Sequence, residues 1–230
     1  VKMAAIQHMM ADLTGTPRCV SKARKVEVGR FHSTYRYPQL RGMAYARLQE
    51  EINQKLADAF GPSPFQWEDE YYEVRDFEVT RLDVDCISVV YHTSGKLRGA
   101  GSHNRTCAAR NIDLHTGRDF GLDGVLCGDY MDALRRVARP LAERQFEFQM
   151  HPDFLSKPPR FYLTPKKLVL LDIFDDELPT ELPIPIELLR EVVNPDGPMA
   201  MVPPLERQGV RGADLDSFSS NSFASIMESR

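Results

Sequence analysis

The chain has 230 residues, of which 42% are hydrophobic and 27% are charged. This balance is ordinary for a globular protein and excludes a mainly disordered or fibrous chain. The formal net charge of −4 is too small to indicate nucleic-acid binding, and no stretch approaches the roughly 20 apolar residues that a membrane-spanning helix needs. The first segment, VKMAAIQHMMADLTG, lacks the apolar run of a signal peptide. We therefore expect either a cytoplasmic protein or one whose leader or membrane anchor lies upstream of this sequence.

The first half of the chain predicts strands around one helix. Residues 1–24 show no clear fold signal and are interpreted as an N-terminal extension. Alternating apolar and polar residues predict a strand over Lys25–Tyr37, which ends at Pro38. Residues 43–60 place apolar side chains at i, i+4 spacing before Gly61, which predicts an amphipathic helix.

The central segments predict an antiparallel meander. Residues 71–80 and 83–93 alternate and are rich in β-branched and aromatic side chains. A glycine-containing loop follows, and residues 104–115 predict the returning strand. Short connections between consecutive strands favour antiparallel neighbours.

The second half predicts a helix and then a hairpin. Asp129 is expected to be the N-cap of the helix, and Pro140 is expected to kink or shorten it. Residues 161–174 predict a hairpin that turns at Thr164–Lys167, and a short extended piece and a short helix follow it.

The domain is expected to end before the C-terminus, because residues 195–230 are rich in Pro, Gly and Ser and predict a disordered tail. The fold class is therefore α+β. We expect a domain over residues 25–194 in which an antiparallel sheet, a meander plus a C-terminal hairpin, packs against two main helices.

The charges are unevenly distributed along the chain. Residues 18–47 carry eight Lys or Arg and one acid, whereas residues 68–85 carry eight acids and residues 172–191 carry seven. Such asymmetry can steer an oppositely charged partner to one side of a molecule. The two acidic segments therefore suit a basic partner whose association weakens with salt; the alternative is ordinary solvated surface.

Four cysteines occur without a CxxC motif or a Cys/His cluster, so a zinc site is not expected. Cys86 and Cys107 lie on either side of the glycine-rich turn, at distances interpreted as nearly equal, so on two antiparallel strands they could face each other. Opposed residues on antiparallel strands can reach the Cα separation of about 5.5 Å that a disulfide needs. The alternative is that both are small buried thiols.

Catalytic and cofactor motifs are missing from the sequence. There is no GxSxG elbow, no GxxxxGK[ST] phosphate loop and no HExxH motif, and the six histidines have no metal-ligand spacing. Cys107 and His103 lie four residues apart on a predicted strand, about 13 Å, which is too far for a hydrogen-bonded catalytic pair. The acids Asp83 and Asp85, and those at 175–177, are interpreted mainly as surface charge. We therefore expect a protein without a cofactor that is not an enzyme.

One polar cluster, GAGSHNRT at residues 99–106, stands out as a candidate ligand-binding loop. Its glycines allow close backbone approach. Ser102, His103, Asn104 and Arg105 add compact hydrogen-bonding groups at a hairpin tip, where recognition residues are often placed. The alternative is that these residues serve only the turn.

The order of several segments carries a family resemblance. A helix ending in EEIN is followed by SVVYHTSGKLRGAGSHNRTCAARNIDLHTGRDFGLDGVL, GDYMDAL, FYLTPKKLVLLDIF and LPIPIELL. Over residues 25–192 this order resembles the extracellular domain of RsiV-type anti-sigma factors, which is also the accessory region of PdaC-type peptidoglycan deacetylases. The chain departs from this pattern by a Gly-Ser insertion within the Gly-Ala-His run and by the acidic DDELPTEL after the FYL hairpin.

The resemblance implies an α+β binding domain that acts outside the cytoplasm. In the RsiV-type proteins this domain binds lysozyme, so a basic, cell-wall-associated protein or a wall glycan is the implied partner. The chain lacks the membrane span and sigma-binding segment of those proteins, and it lacks the metal-binding motifs of the deacetylases. Two alternatives are a cytoplasmic scaffold and a hydrolase with a site near His103.

Overall fold

A computed structural model describes residues 17–59, 70–99, 104–173 and 180–200. These residues form eight strands: β1 Arg18–Val28, β2 Phe31–Arg41, β3 Tyr71–Leu82, β4 Cys86–Leu97, β5 Asn104–Asp113, β6 Arg160–Leu163, β7 Lys167–Leu171 and β8 Glu181–Pro185. The helices are α1 Ala46–Asp58, α2 Leu122–Val125 and α3 Tyr130–Phe146, and a 3₁₀ helix follows at Ile186–Leu189. The α+β fold class is confirmed. Among the described residues, no helix is long and apolar enough to cross a membrane.

Strands β1 to β5 form one sheet in sequence order. Neighbouring strands are antiparallel except for β2 and β3, which are parallel. The predicted antiparallel meander is confirmed for β3, β4 and β5, whereas the parallel pairing of β2 with β3 was not predicted. Parallel neighbours need a long crossover connection, and the segment that contains α1 provides it.

The single strand predicted over Lys25–Tyr37 is a hairpin. β1 and β2 pair along their whole length around a turn in which Gly29 has a φ of +59°, a conformation that suits glycine. Pro38 does not end β2 but pairs with Ser21. The pairing of β2 with β3 ends at Tyr35, so the missing N–H of Pro38 interrupts no ladder on that side within the described residues.

Both faces of the large sheet are covered at the end where β4 begins. On one face, α1 buries Ile52 and Leu56 against Ile87, Val89 and Tyr91 of β4. On the other face, the small sheet β6-β7-β8 and α3 form a second core, and Val90 of β4 contacts Leu171 of β7. Successive residues of a strand point to opposite faces, so β4 belongs to both cores.

The C-terminal half follows its predicted order with two local differences. The hairpin β6–β7 and the extended piece with its short helix are confirmed, and β8 adds a third strand to the hairpin. Asp129 occupies the N-cap position of α3 but makes no side-chain capping hydrogen bond in the described structure. Pro140 does not shorten α3, which continues to Phe146.

The ordered structure is longer than the predicted domain at both ends. β1 begins at Arg18 rather than at Lys25. Met199 is buried, 1% exposed, in the core beneath α3. The structure thus includes residues 195–200, whereas 201–230 of the predicted tail lie outside the described residues.

The expected facing of Cys86 and Cys107 is wrong. The register pairs Cys86 with Asp113 and Cys107 with His92, so the two cysteines are offset by six positions, roughly 20 Å at 3.3 Å per residue. The two cysteines are not equidistant from the turn, because Cys86 lies 11 positions before the end of β4 at Leu97 and Cys107 only three positions after the start of β5 at Asn104. Both cysteines are free and buried, in agreement with the alternative of two buried thiols.

Candidate binding surface

The structure gives a position to only part of the predicted binding loop. Ser102 and His103 lie outside the described residues, and only the backbone of Asn104, at the start of β5, is described. Arg105 pairs directly with Ser94 of β4. The assignment of these four residues to ligand binding remains a prediction.

The neighbourhood of Arg105 is an open face of the large sheet, at the end that carries the β1–β2 and β4–β5 turns. Directly paired residues of neighbouring strands share a face, and the registers therefore place nine side chains in two rows. The first row is Glu27, His32, Tyr72 and Lys96, and the second is Lys25, Thr34, Val74, Ser94 and Arg105. We call these nine residues the platform.

The platform has an aromatic centre. The rings of His32 and Tyr72 are stacked, with centroids 5.1 Å apart and planes 15° from parallel. Tyr72 is 41% exposed and Val74 is 58% exposed. A shallow cavity of about 270 Å³ lies over these strands, so the aromatic pair is accessible to a ligand.

A charged network borders the aromatic centre. The Tyr72 hydroxyl donates to Glu70 Oε2 over 3.3 Å, and Arg98 Nη1 donates to the same oxygen over 2.6 Å. The hydrogen bond from Arg98 holds the pKa of Glu70 below its usual range. Glu70 is therefore ionised at neutral pH and positions the Tyr72 hydroxyl at the margin of the platform.

Directly behind the platform, the opposite face of the same strands carries a buried polar cluster. Arg75 Nε donates to Glu73 Oε1 over 2.6 Å, and Ser33 Oγ donates to the same oxygen over 3.2 Å. The Arg75 guanidinium also lies 5.2 Å from the centroid of the Tyr35 ring. These contacts join β2 to β3. The platform therefore rests on strands that are held together before any ligand arrives.

Gly95 of β4 brings a third strand into this support. A Cβ atom added at Gly95 would lie 2.0 Å from Tyr71 Oη and 2.5 Å from its Cζ. Tyr71 is itself buried. Only glycine lets the Tyr71 ring cross β4 at this point, which explains a glycine in the middle of a strand.

Most of the described acids in the segment 68–85 have a basic side chain beside them. Beyond Glu70 and Glu73, three further carboxylates have partners: Asp76 pairs with Arg36 at 2.9 Å, Asp83 with Arg81 at 2.6 Å, and Asp85 with His115 at 3.0 Å. In the second acidic segment, Asp172 pairs with Arg160, and Glu191 with Arg136. Both segments therefore offer a basic partner less free negative charge than their sequences indicate.

Asp83 and Asp85 do not act together as a cation site. Asp83 Oδ1 accepts the backbone N–H groups of Asp85 and Cys86, each at 2.9 Å, and so stabilises the turn between β3 and β4. In the described parts of the chain, no group of three or more His, Cys, Asp and Glu side chains has the arrangement of a metal site.

The register creates one Cys/His neighbour pair that the sequence did not indicate, because Cys107 lies opposite His92. Burial raises the pKa of Cys107 to about 11, and the negative charge of Glu181 adds to the effect. The thiolate is the nucleophilic form of cysteine. At neutral pH the thiol of Cys107 is protonated, so this pair lacks an activated nucleophile.

No family model matches this sequence, and no curated protein matches it. Solved structures share its fold, among them two DUF3298-family proteins. A DUF3298-family protein from Bacteroides fragilis has a TM-score of 0.57 and 13% identity, covering 77% of this chain and 93% of its own. A DUF3298-family protein from Pseudomonas aeruginosa has a TM-score of 0.53 and 12% identity, covering 78% and 94%. The chain therefore has the fold of these DUF3298-family structures.

Proposed function

We propose that this chain is a non-enzymatic binding domain that acts outside the cytoplasm and recognises a cell-wall-associated ligand through the platform. The observation that carries the proposal is the stacked pair of the partly buried His32 and the exposed Tyr72, at the centre of a sheet face that extends beyond the two cores. Exposed aromatic side chains on a rigid support contribute contact area at little entropic cost.

The charges of the platform favour an anionic wall glycan as the ligand. Lys25, Lys96 and Arg105 contribute three positive charges, against one negative charge from Glu27. The stacked rings of His32 and Tyr72 offer apolar surface to the C–H groups of a sugar, and the cations can pair with its carboxylate or phosphate groups. A basic protein such as lysozyme fits the platform less well, because the platform carries more positive than negative charge and several carboxylates of the two acidic segments already have basic partners.

The experiment is a calorimetric titration of the purified chain with soluble anionic peptidoglycan fragments and, separately, with lysozyme. The variants are Tyr72→Ala and Lys96→Ala. Tyr45→Ala is the matched control, because Tyr45 is 75% exposed and lies at the start of α1, outside the platform.

We expect saturable binding of the glycan that Tyr72→Ala weakens by about tenfold, the size of one lost aromatic contact. Lys96→Ala is expected to reduce the salt dependence of glycan binding. Tyr45→Ala is expected to leave glycan binding unchanged. Binding of lysozyme that is unaffected by Tyr72→Ala would move the site to another face and the ligand to a basic protein. If neither ligand binds, the proposal fails.

A further inference from the structure

A second cleft lies on the other face of the large sheet, between β2 and the outer side of α1. Its volume is about 760 Å³, within the range of small-molecule sites. Tyr37 and Gln39 of β2 form one wall, and Gln49, Asn53 and Gln54 of α1 form the other. All five side chains are neutral amides or hydroxyl groups. Four of them have unused hydrogen-bonding capacity, whereas the amide of Asn53 bonds the backbone of β2.

Asn53 fixes the distance between the two walls. Its Oδ1 accepts the backbone N–H of Leu40 at 2.6 Å, and its Nδ2 donates to the carbonyl of Leu40 at 3.0 Å. One amide side chain thereby satisfies both backbone groups of a strand residue, as a neighbouring strand would. The cleft is therefore formed by the fold and does not depend on a ligand.

The neighbouring amides are oriented by contacts of their own. Gln49 Oε1 accepts the backbone N–H of Met43 at 3.1 Å, which leaves the two donors of its Nε2 for a ligand. Gln54 Nε2 donates to both carboxylate oxygens of Asp58 at 2.8 Å, which leaves its Oε1 as an acceptor. The two glutamines thus present opposite hydrogen-bonding groups to the cleft.

We infer that this cleft binds a short neutral oligosaccharide. Sugar hydroxyl and acetamido groups both donate and accept, and they match the fixed amide donors and acceptors, while the Tyr37 ring offers a surface to the sugar ring. An apolar ligand would leave the amides unpaired, at a cost. An anion would meet the carboxylates of Glu50 and Asp58, with Arg24 the only cation among the side chains that line the cleft. This site is independent of the platform, which lies on the opposite face.

The test is a titration of the ¹⁵N-labelled chain with triacetylchitotriose and with maltotriose, followed by amide NMR. We expect one of the two to cause saturable shifts that are confined to residues 35–39 and 49–58. Tyr37→Ala should weaken this binding by about tenfold or more, and Tyr45→Ala by less than about twofold. Because Gln54 is exposed on a helix and alanine is a good helix former, Gln54→Ala gives a second test in a variant that folds.

The outcomes separate this site from the platform. Shifts that persist unchanged in both Tyr37→Ala and Gln54→Ala, or no saturable shift with either sugar, would overturn the inference. Shifts at platform residues alone, abolished by Tyr72→Ala, would overturn it as well and assign neutral glycans to the other face. Loss of platform binding in Tyr72→Ala with full retention of the trisaccharide shifts is the expected pattern.

Discussion

Ser88 and Asn111 face each other in the core, and together they join the two sheets. Ser88 Oγ donates to Asn111 Oδ1 over 2.6 Å, and both side chains are buried. Ser88 Oγ also accepts the backbone N–H of Leu163 at 2.8 Å, and Asn111 Nδ2 donates to the carbonyl of Phe161 at 3.0 Å. β6 is an edge strand of the small sheet. Side chains of the large sheet therefore satisfy the backbone groups that a missing neighbour strand would otherwise pair.

Replacement of Asn111 by alanine should destabilise this junction. The change leaves the buried carbonyl of Phe161 without its donor and removes the acceptor for Ser88, and a buried unsatisfied polar group costs about 1–3 kcal/mol. We expect Asn111→Ala to lower the free energy of unfolding by about 2–4 kcal/mol, measured by urea denaturation. Thr80→Ala removes a partly buried hydroxyl that donates to the carbonyl of Leu163 at 2.7 Å and lies 3.2 Å from that of Ser88, and it should cost about 1 kcal/mol. Equal effects of the two changes would contradict the proposed role of Asn111.

The sequence predicts the elements of this junction but not the junction itself. The β6–β7 hairpin has a local signal, because Thr164 and the residues that follow it favour a turn, and Thr164 Oγ1 accepts the N–H of Lys167. The contact between Ser88 and Leu163 spans 75 positions. The hydrophobic periodicity of a strand does not specify which other strand lies beside it. For the same reason the sequence does not predict the parallel pairing of β2 with β3.

The buried pair of Glu73 and Arg75 should be sensitive to the loss of one partner. The side chains are 8% and 9% exposed, and replacing Glu73 removes the carboxylate that lies 2.6 Å from a guanidinium in the interior. We therefore expect Glu73→Ala to reduce the free energy of unfolding by about 3–5 kcal/mol. Arg47→Ala provides the control, because its ion pair with Glu51 is exposed and should contribute less than about 0.5 kcal/mol. A similarly small effect at Glu73 would show that the cluster does not support the platform.

Asp83 should make stability depend on pH in the acid range. Burial raises the pKa of its carboxyl, but the hydrogen bonds from Cys86, Arg81 and Asp85 outweigh this effect, and the pKa lies below its usual value. A lowered folded-state pKa gives stability that is complete above the unfolded pKa, about 3.9, and is lost as pH falls through the folded pKa. Because the side chain is 36% exposed, solvent screening limits the contribution to about 1 kcal/mol.

The variant Asp83→Asn isolates this contribution. It should be less stable than the parent chain at pH 7, and the difference should shrink as the pH falls below about 4. Urea denaturation at pH 7, 5 and 3 measures the trend. A difference that stays constant across this range would mean that the turn depends on the shape of the side chain rather than on its charge.

The platform was accessible to sequence reasoning only in part. Side chains alternate along residues 31–37, so His32 and Thr34 lie on one face of the strand and Phe31, Ser33 and Tyr35 on the other. The sequence predicts these two faces. The stack of His32 on Tyr72 depends on the parallel register across a 40-residue separation. The sequence places Arg105 near a hairpin tip, whereas its alignment with Ser94 and Val74 follows from strand pairing that the sequence does not encode locally.

The four cysteines should differ in reactivity according to their burial. Burial raises the pKa of Cys86 to about 12 and that of Cys107 to about 11, so their nucleophilic thiolates are rare near neutral pH. Burial also raises the pKa of the half-buried Cys19, whereas Cys127 is exposed. We expect iodoacetamide at pH 8 to modify Cys127 first and Cys19 more slowly, with Cys86 and Cys107 reacting only after denaturation; peptide mass spectrometry locates the label.

The same labelling experiment tests the register of β4 and β5. Free thiols at Cys86 and Cys107 are often taken as a sign of a reducing compartment, but in this fold the six-residue offset keeps them apart in any compartment. Protein prepared under oxidising conditions should therefore still release both thiols on denaturation without a reductant. A pair that labels only after reduction would require the strands to slip, which would move every β5 side chain relative to its neighbours. That result would remove Arg105 from the platform, because its place there depends on the pairing with Ser94.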